Sequence, residues 1–257
     1  MIHPTAIIDP GARVAPSAKV GPYSIVGDEV EIGAESELQA HVYMQGPIRV
    51  GARNLFFPYS SIGAVPQDLK FRGERSETII GDDNTFREFV TVQRGTAGGG
   101  GQTVIGNGCL VMAYTHIAHD CRIGDKVILG NGVTLAGHVV IQDFANVGAF
   151  SGVHQFCCIG AHALIGGYTV VTQDVMPFSR AVADRPVKAY GMNQVGLERR
   201  GFEARQMAGL HHAFRLLLSS KLNTTQALEQ IRAEGPLSPE VQQLVAFIES
   251  SERGVIK

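Results

Sequence analysis

Every sixth residue from Ile2 is apolar for eleven consecutive positions, running through Ile8, Val14 and Val20 to Phe56 and Ile62. Ile80, Phe86 and Val92 make a second short run, and a third spans twelve positions from Ile105 through Ile123, Leu135 and Val153 to Val171. Apolar residues are 44% of the chain, so twelve chance hits in a row have odds of about 0.44 to the twelfth power, far below one in a thousand. A period of six fits neither the 3.6 of a helix nor the 2 of a long strand. It fits a triangular coil of three short parallel strands and three corners, with about eighteen residues per turn and roughly 4.8 Å between stacked turns. The inward aliphatics then stack coil on coil into one continuous core. Gly follows the aliphatic at twelve of the 26 positions, Gly21, Gly27, Gly33, Gly124 and Gly160 among them. The expected reason is that tight corners demand backbone angles that glycine tolerates.

Two segments interrupt the repeat, at about 63–79 and 93–104; the second contains the run "GTAGGGG" and shifts the phase by one residue. Both are expected to project from a corner as loops, where functional side chains often sit on a stiff scaffold. The glycine run lacks the Lys and Ser/Thr of a phosphate-binding P-loop. After Val171 the repeat stops. "FEARQMAGLHHAFRLLLSS", "NTTQALEQIRAEG" and "SPEVQQLVAFIESSERG" have helical spacing, with Ser238 as an N-cap and Pro239 at the first helical position. The chain therefore divides into a mainly β prism over 1–190 and an α-helical domain over 191–257, with the boundary near 185–191. The helical tail is expected to cap the open end of the prism.

The formal net charge of −2 argues against a nucleic-acid partner. No run of eighteen apolar residues predicts a membrane span, and "MIHPTAIIDPGARV" does not read as a secretion signal. Cys109, Cys121, Cys157 and Cys158 lack CxxC spacing, which fits a reducing cytoplasm.

Residues eighteen apart stack on one face. His119 then lies beneath Gly137 and Gln155, Asp120 beneath His138, and Ala136 beneath His154. Such a stripe has three possible chemistries. His116, His119 and His138 offer a zinc set, but their spacing does not demand a metal and none is expected. Cys121 offers a thiol, yet Asp120 beside it disfavours the thiolate, and a small buried residue is the better reading. A neutral histidine offers a general base, with a carboxylate to fix its tautomer and the Gly137 N–H to receive charge developing on an oxygen. The third reading uses the most features.

The period resembles that of the hexapeptide acyltransferases, which implies a left-handed parallel β-helix; the hand comes from the resemblance alone. "PQDLKF", "TVQRGT", "THIAHDC", "TLAGHV", "VHQFC", "IGAHALIGG" and "RRGF", spread over 66–202, together resemble the UDP-N-acetylglucosamine acyltransferases that begin lipid A synthesis. The resemblance implies a homotrimer with its sites in clefts between subunits. It implies transfer of an R-3-hydroxyacyl chain from acyl carrier protein to the 3-position of UDP-N-acetylglucosamine. No cofactor is implied beyond the carrier's phosphopantetheine. His119 would be the general base, Asp120 its orienting partner and Gly137 the oxyanion donor. His116, His138 and His154 would line the cleft, and Asp68 and Lys70 would contact the sugar and a phosphate. Gln155, Asn193, Arg199 and Arg200 would hold the uridine diphosphate, the arginines through forked donors that could also greet an acidic carrier protein. Gly167 would leave the acyl groove long, around fourteen carbons, with Tyr168 beside it. The family commonly has His at Gln93, also counted as a substrate-binding position. Gln cannot change charge, which leaves open whether the acceptor is a hydroxyl or, as in some relatives, an amine. A zinc-dependent hydratase on the same prism is the more distant alternative.

Overall fold

The computed structural model describes residues 1–183, 187–219 and 221–257. Residues 185 and 186 of the expected domain boundary fall outside them. The strands form three parallel walls. The first has nine strands from Ile7–Ile8 to Val170–Val171. The second has eight, from Arg13–Val14 to Cys158–Ile159. The third has ten, from Lys19–Val20 through Leu164–Ile165 to Ser179–Val182, with Lys188–Met192 added antiparallel. Pairing follows the eighteen-residue step: Ile7 pairs with Ile25, and Ile117 with Leu135, which in turn pairs with Val153.

The hexad aliphatics fill the prism. Val26, Met44, Phe56, Ile62, Val92 and Leu129 have no accessible surface, and Phe56 stacks on Phe86 with ring centroids 4.8 Å apart. The N-terminal end is open, with Ile2 half exposed. At the other end the plug is not a helix: the returning tail places Ile256 in the core, and the Ile256 N–H donates to the Asp174 carbonyl at 3.1 Å.

The glycines work differently from the sequence expectation. Gly21, Gly27, Gly33, Gly124 and Gly160 do not adopt positive φ. All but Gly27 are required by closeness: a Cβ on Gly21 would lie 2.7 Å from the Gln39 backbone, and one on Gly33 2.4 Å from the Gly51 carbonyl oxygen. The left-handed corner falls two residues later, on side chains such as Glu35, Tyr114, Asp120, His138 and His162, with φ between 59° and 63°. Each such residue costs about 1–2 kcal/mol, and at His162 the stacked rings of Phe144 and Phe178 in the coils below and above offset it.

Ile62 pairs with Val92, thirty positions on, and Val92 with Ile117, twenty-five on. The loops therefore add twelve and seven residues to an eighteen-residue coil. Their paired flanks reach further than the repeat suggested: strands run to Ala64 and from Glu77, and to Gln93 and from Gln102. The projecting parts are thus 65–76 and 94–101. The hexad marks only inward side chains, whereas Glu77–Ile80 continues to pair with Gln102–Ile105 outside that pattern.

Among the described residues four helices follow Met192: α1 (Gln194–Arg199), α2 (Ala204–Ser219), α3 (Thr224–Ala233) and α4 (Pro239–Ser250). Asn223 and Gln226 form a capping box on α3, and the Ser238 hydroxyl accepts from Val241 N–H ahead of Pro239. Their apolar faces share a core that includes Leu210, Phe214, Leu228 and Leu244, and Met176 and Phe178 of the last coil belong to it. The helices are thereby fastened to the side of the prism.

Candidate active site

Each coil has three edges. The first, between walls one and two, carries both loops and the stripe His119, Asp120, Gly137, His138, His154 and Gln155. Strand His116–Ile117 ends in a corner that places Asp120 at φ 62°, and the next coil does the same with His138. The corner turns both side chains out of the core onto one line.

Asp120 is the centre of the site. Its side chain is 1% exposed, so its charge must be balanced by donors. His119 Nδ1 lies 2.7 Å from Asp120 Oδ2, and His138 Nε2 3.8 Å from the same oxygen. A carboxylate only accepts, so the His119 proton sits on Nδ1 and Nε2 is left as the basic nitrogen. Thr96 gives its backbone N–H to Oδ1 at 2.8 Å and its hydroxyl to Oδ2 at 2.7 Å, and the Asp120 N–H donates to Thr103 Oγ1 at 2.8 Å. The His119 and His138 rings meet edge to face at 5.2 Å, and Phe156 stacks on His138 at 4.5 Å. Gly137 lies against the His119 ring: a Cβ there would be 2.5 Å from Cε1 and 2.8 Å from Nε2. The Gly137 N–H has no hydrogen-bond partner among the described residues. His116, on wall one, pairs through Nδ1 with the Thr91 hydroxyl at 2.7 Å, and burial first, then His119, holds its pKa below the usual histidine value. This arrangement can take a proton from an attacking group at His119 Nε2 and meet an oxyanion at Gly137.

The ligand atoms of His119, Asp120 and His138 lie within 4.8 Å of one another and could hold a cation. A cation there would compete with the Thr96 and His119 donors for Asp120 Oδ2. Cys121 is fully buried, its thiol donates to the Ala136 carbonyl at 3.2 Å, and burial pushes its pKa up to about 12. That leaves no thiolate to act as a nucleophile.

The remaining expected residues are distributed unevenly. His154 and Gln155 are exposed one coil beyond Gly137. Asp68 and Lys70 stand on the first loop, where Asp68 Oδ1 accepts the Lys70 N–H at 2.9 Å. Gln93 is 2% exposed, and its Oε1 accepts the Gln67 N–H at 3.1 Å. Its observed role is therefore to anchor that loop. Asn193 is also buried; it caps α1 by accepting from Gly196 N–H at 3.3 Å and donates to the His162 carbonyl at 2.9 Å. Asn193, Arg199 and Arg200 belong to the second edge, where Arg200 lies over the Phe144 ring at 5.4 Å. Within one chain they do not join the His119 stripe. Gly167 is on the third edge, exposed beside Tyr168.

Thr96 and His162 are not anticipated by the sequence pattern. The one-residue phase shift conceals the step of twenty-four that brings Thr96 to Asp120. His162, eighteen after Phe144, stacks between Phe144 at 4.7 Å and Phe178 at 5.5 Å, with Phe202 edge-on. Its Nδ1 has no hydrogen-bond partner among the described residues, and burial, reinforced by Arg200, lowers its pKa to about 4.

Comparison with known proteins shows the family. Residues 174–256 match the family model described as UDP N-acetylglucosamine O-acyltransferase, domain 2, and residues 102–137 match bacterial transferase hexapeptide repeats. Proteins named acyl-(acyl-carrier-protein)–UDP-N-acetylglucosamine O-acyltransferase are similar over the whole chain. The one from Stenotrophomonas maltophilia R551-3 is 45% identical, covering 100% of this chain and 97% of the relative. The one from Janthinobacterium sp. Marseille is 46% identical, covering 100% and 99%. The solved UDP-N-acetylglucosamine acyltransferase of Bacteroides fragilis 9343 superposes with a TM-score of 0.97 at 40% identity, covering both chains completely. A superposition that close requires the same hand, so this prism is a left-handed parallel β-helix. Identity near 45% runs from the first coil to the helical tail, and the chain belongs to the UDP-N-acetylglucosamine O-acyltransferase family.

Proposed function

We propose that the chain transfers an R-3-hydroxyacyl group from acyl carrier protein to the 3-hydroxyl of UDP-N-acetylglucosamine, the opening step of lipid A synthesis. The observation that carries the mechanism is His119, held by a buried carboxylate on one side and facing a glycine backbone on the other. His119 Nε2 takes the hydroxyl proton as the sugar oxygen attacks the thioester carbon. The Gly137 N–H stabilises the oxyanion of the tetrahedral intermediate. The C–S bond then breaks, and the imidazolium returns the proton to the departing thiolate. The names of the two relatives, both O-acyltransferases, favour a hydroxyl over an amine, and Gln93 does not oppose this because its carbonyl is occupied by the loop.

The working unit in this reading is a homotrimer. Tyr23, His41, Tyr59, Phe89 and Tyr114 stack at 4.9–5.2 Å up the third edge, and Phe150 and Tyr168 continue the column. These side chains are exposed; Tyr114, for example, is 64% accessible. A ridge of this kind suits an interface. When three such ridges meet on a threefold axis, wall one of each copy faces wall three of the next. The first edge of one chain, with His119 and His138, then lies across a cleft from the second edge of its neighbour, with Arg199 and Arg200. Gly167 sits at the closed end of that cleft, where a side chain would shorten the acyl groove. No described helix is long and apolar enough to cross a membrane, and the four cysteines are unpaired, which fits a cytoplasmic setting.

The test is mass spectrometry of the product formed from carrier-protein thioesters of several lengths and UDP-N-acetylglucosamine, with wild type beside His119→Ala. A mass gain matching one hydroxyacyl group, lost in the variant, is expected; no product from wild type would overturn the reading. Among the described residues, the cluster at Asp120 is the one feature favouring a zinc hydratase. Stoichiometric zinc, with activity abolished by chelation, would move the assignment there.

A further inference from the structure

We propose that Thr96 is a positioning residue for acyl transfer, locking the Asp120 carboxylate in the orientation that holds the His119 ring. This rests on the reading of His119 as the general base. An aspartate carboxylate turns readily about its last torsion, so bonding to His119 alone does not fix its plane. Thr96 engages both oxygens, through its N–H to Oδ1 and its hydroxyl to Oδ2. Water is poorly placed to substitute, since the Asp120 side chain is 1% exposed and Thr96 is 5% exposed.

The glycine run gives a second, independent observation. Thr96 is followed by a 3-10 turn over Ala97–Gly99, which folds back so that Gly99 and Gly101 N–H both donate to the Thr96 carbonyl. A Cβ on Gly99 would lie 2.0 Å from Asp120 Cγ and 2.3 Å from Oδ1. The loop is therefore pressed onto the buried anion, and any side chain at Gly99 would displace it. The same turn receives the first loop, as Glu74 Oε1 accepts the Ala97 N–H at 3.2 Å.

Removing a donor from a buried anion raises the proton affinity of the pair it forms with histidine. The ionisable groups facing Asp120 are His119, His138 and the Cys121 thiol, with His116 next to His119. Loss of the Thr96 hydroxyl thus has two signatures: lower turnover from a misaligned base, and an acidic limb of the kcat/KM profile moved to higher pH.

The experiment measures acyl transfer from 3-hydroxyacyl carrier protein to UDP-N-acetylglucosamine across the acidic limb, for wild type, Thr96→Val, Thr96→Ser, Gly99→Ala and His119→Ala. Thr96→Val is expected to lower kcat by roughly 10- to 100-fold, as expected for a base displaced by a fraction of an ångström to an ångström. KM for the sugar nucleotide should stay within about twofold, since Thr96 contributes no ground-state contact in this reading. Thr96→Ser should restore both kcat and the limb, and Gly99→Ala should reproduce the valine defect. A Thr96→Val enzyme with wild-type melting, turnover and pH limb overturns the proposal, as does a serine variant no better than valine. Should the valine variant not fold, Gly99→Ala decides, and wild-type behaviour there overturns it. Full activity in His119→Ala removes the general-base reading itself, whereas an inactive His119→Ala beside a wild-type-like Thr96→Val removes only the role of Thr96.

Discussion

Gly137→Ala adds one methyl group at the point where the proposed base meets the proposed oxyanion donor. The new Cβ would stand 2.5 Å from His119 Cε1 and 2.8 Å from Nε2. Comfortable carbon contacts begin near about 3.5 Å, so the ring must retreat by about 1 Å. Gly137 does not hold a left-handed φ, so alanine carries no backbone strain there and the methyl acts alone. Retreat is resisted by the 2.7 Å bond from Nδ1 to Asp120. A misplacement of this size typically costs about 100-fold in rate, or about 2.7 kcal/mol of barrier. Stability should fall by roughly 0–2.6 kcal/mol. Overpacking costs about 1–3 kcal/mol, while replacing glycine at a compatible φ returns about 0.4–1 kcal/mol through the unfolded chain. The assay is steady-state transfer with calorimetry on the same samples. The expected pattern is kcat down about 100-fold with KM for the sugar nucleotide little changed. A well-folded Gly137→Ala enzyme keeping a third or more of wild-type kcat would refute the placement of the base against this glycine.

Three other outcomes can be checked. Because the folded-state pKa of His162 lies below the ordinary histidine value, its neutral form stabilises the fold fully above about pH 6.5, and this is lost as pH falls toward about 4. Thermal melts should therefore show wild type losing on the order of 2 kcal/mol more than His162→Phe over that window, after allowance for solvent screening; parallel curves would contradict the assignment. Cys121→Ala should keep turnover within a few-fold of wild type, and an inactive but folded variant would reinstate the thiol as nucleophile. Gly209→Ala, within α2, meets only Val241 Cγ2 at 3.5 Å and Ser238 Oγ at 3.7 Å, so chemical denaturation should register a gain of about 0.8 kcal/mol from helix propensity.

The prism is legible in the sequence because one inward residue in six decides everything about its core, and no other repeat places Ile117, Leu135 and Val153 in one column. The stripe from His119 to Gln155 follows from the same step of eighteen. What lies across a phase shift is hidden. Thr96 reaches Asp120 over twenty-four residues, and no fixed step predicts that contact. The glycines stand out in the repeat, but their cause does not: at Gly33 the constraint is a carbonyl 2.4 Å from where a Cβ would be, not an unusual φ. A one-dimensional pattern cannot distinguish those two demands. Asn193 and Gln93 show a related limit, since an amide suited to a ligand is equally suited to capping a helix or anchoring a loop.

The crowding at the glycine columns has a mechanical consequence. With Gly21, Gly33 and Gly160 each pressed against the backbone of the following coil, the column has no slack to bend or breathe along its axis. Whatever give the first edge needs must then come from the two projecting loops. The prism itself serves as a fixed post against which those parts move.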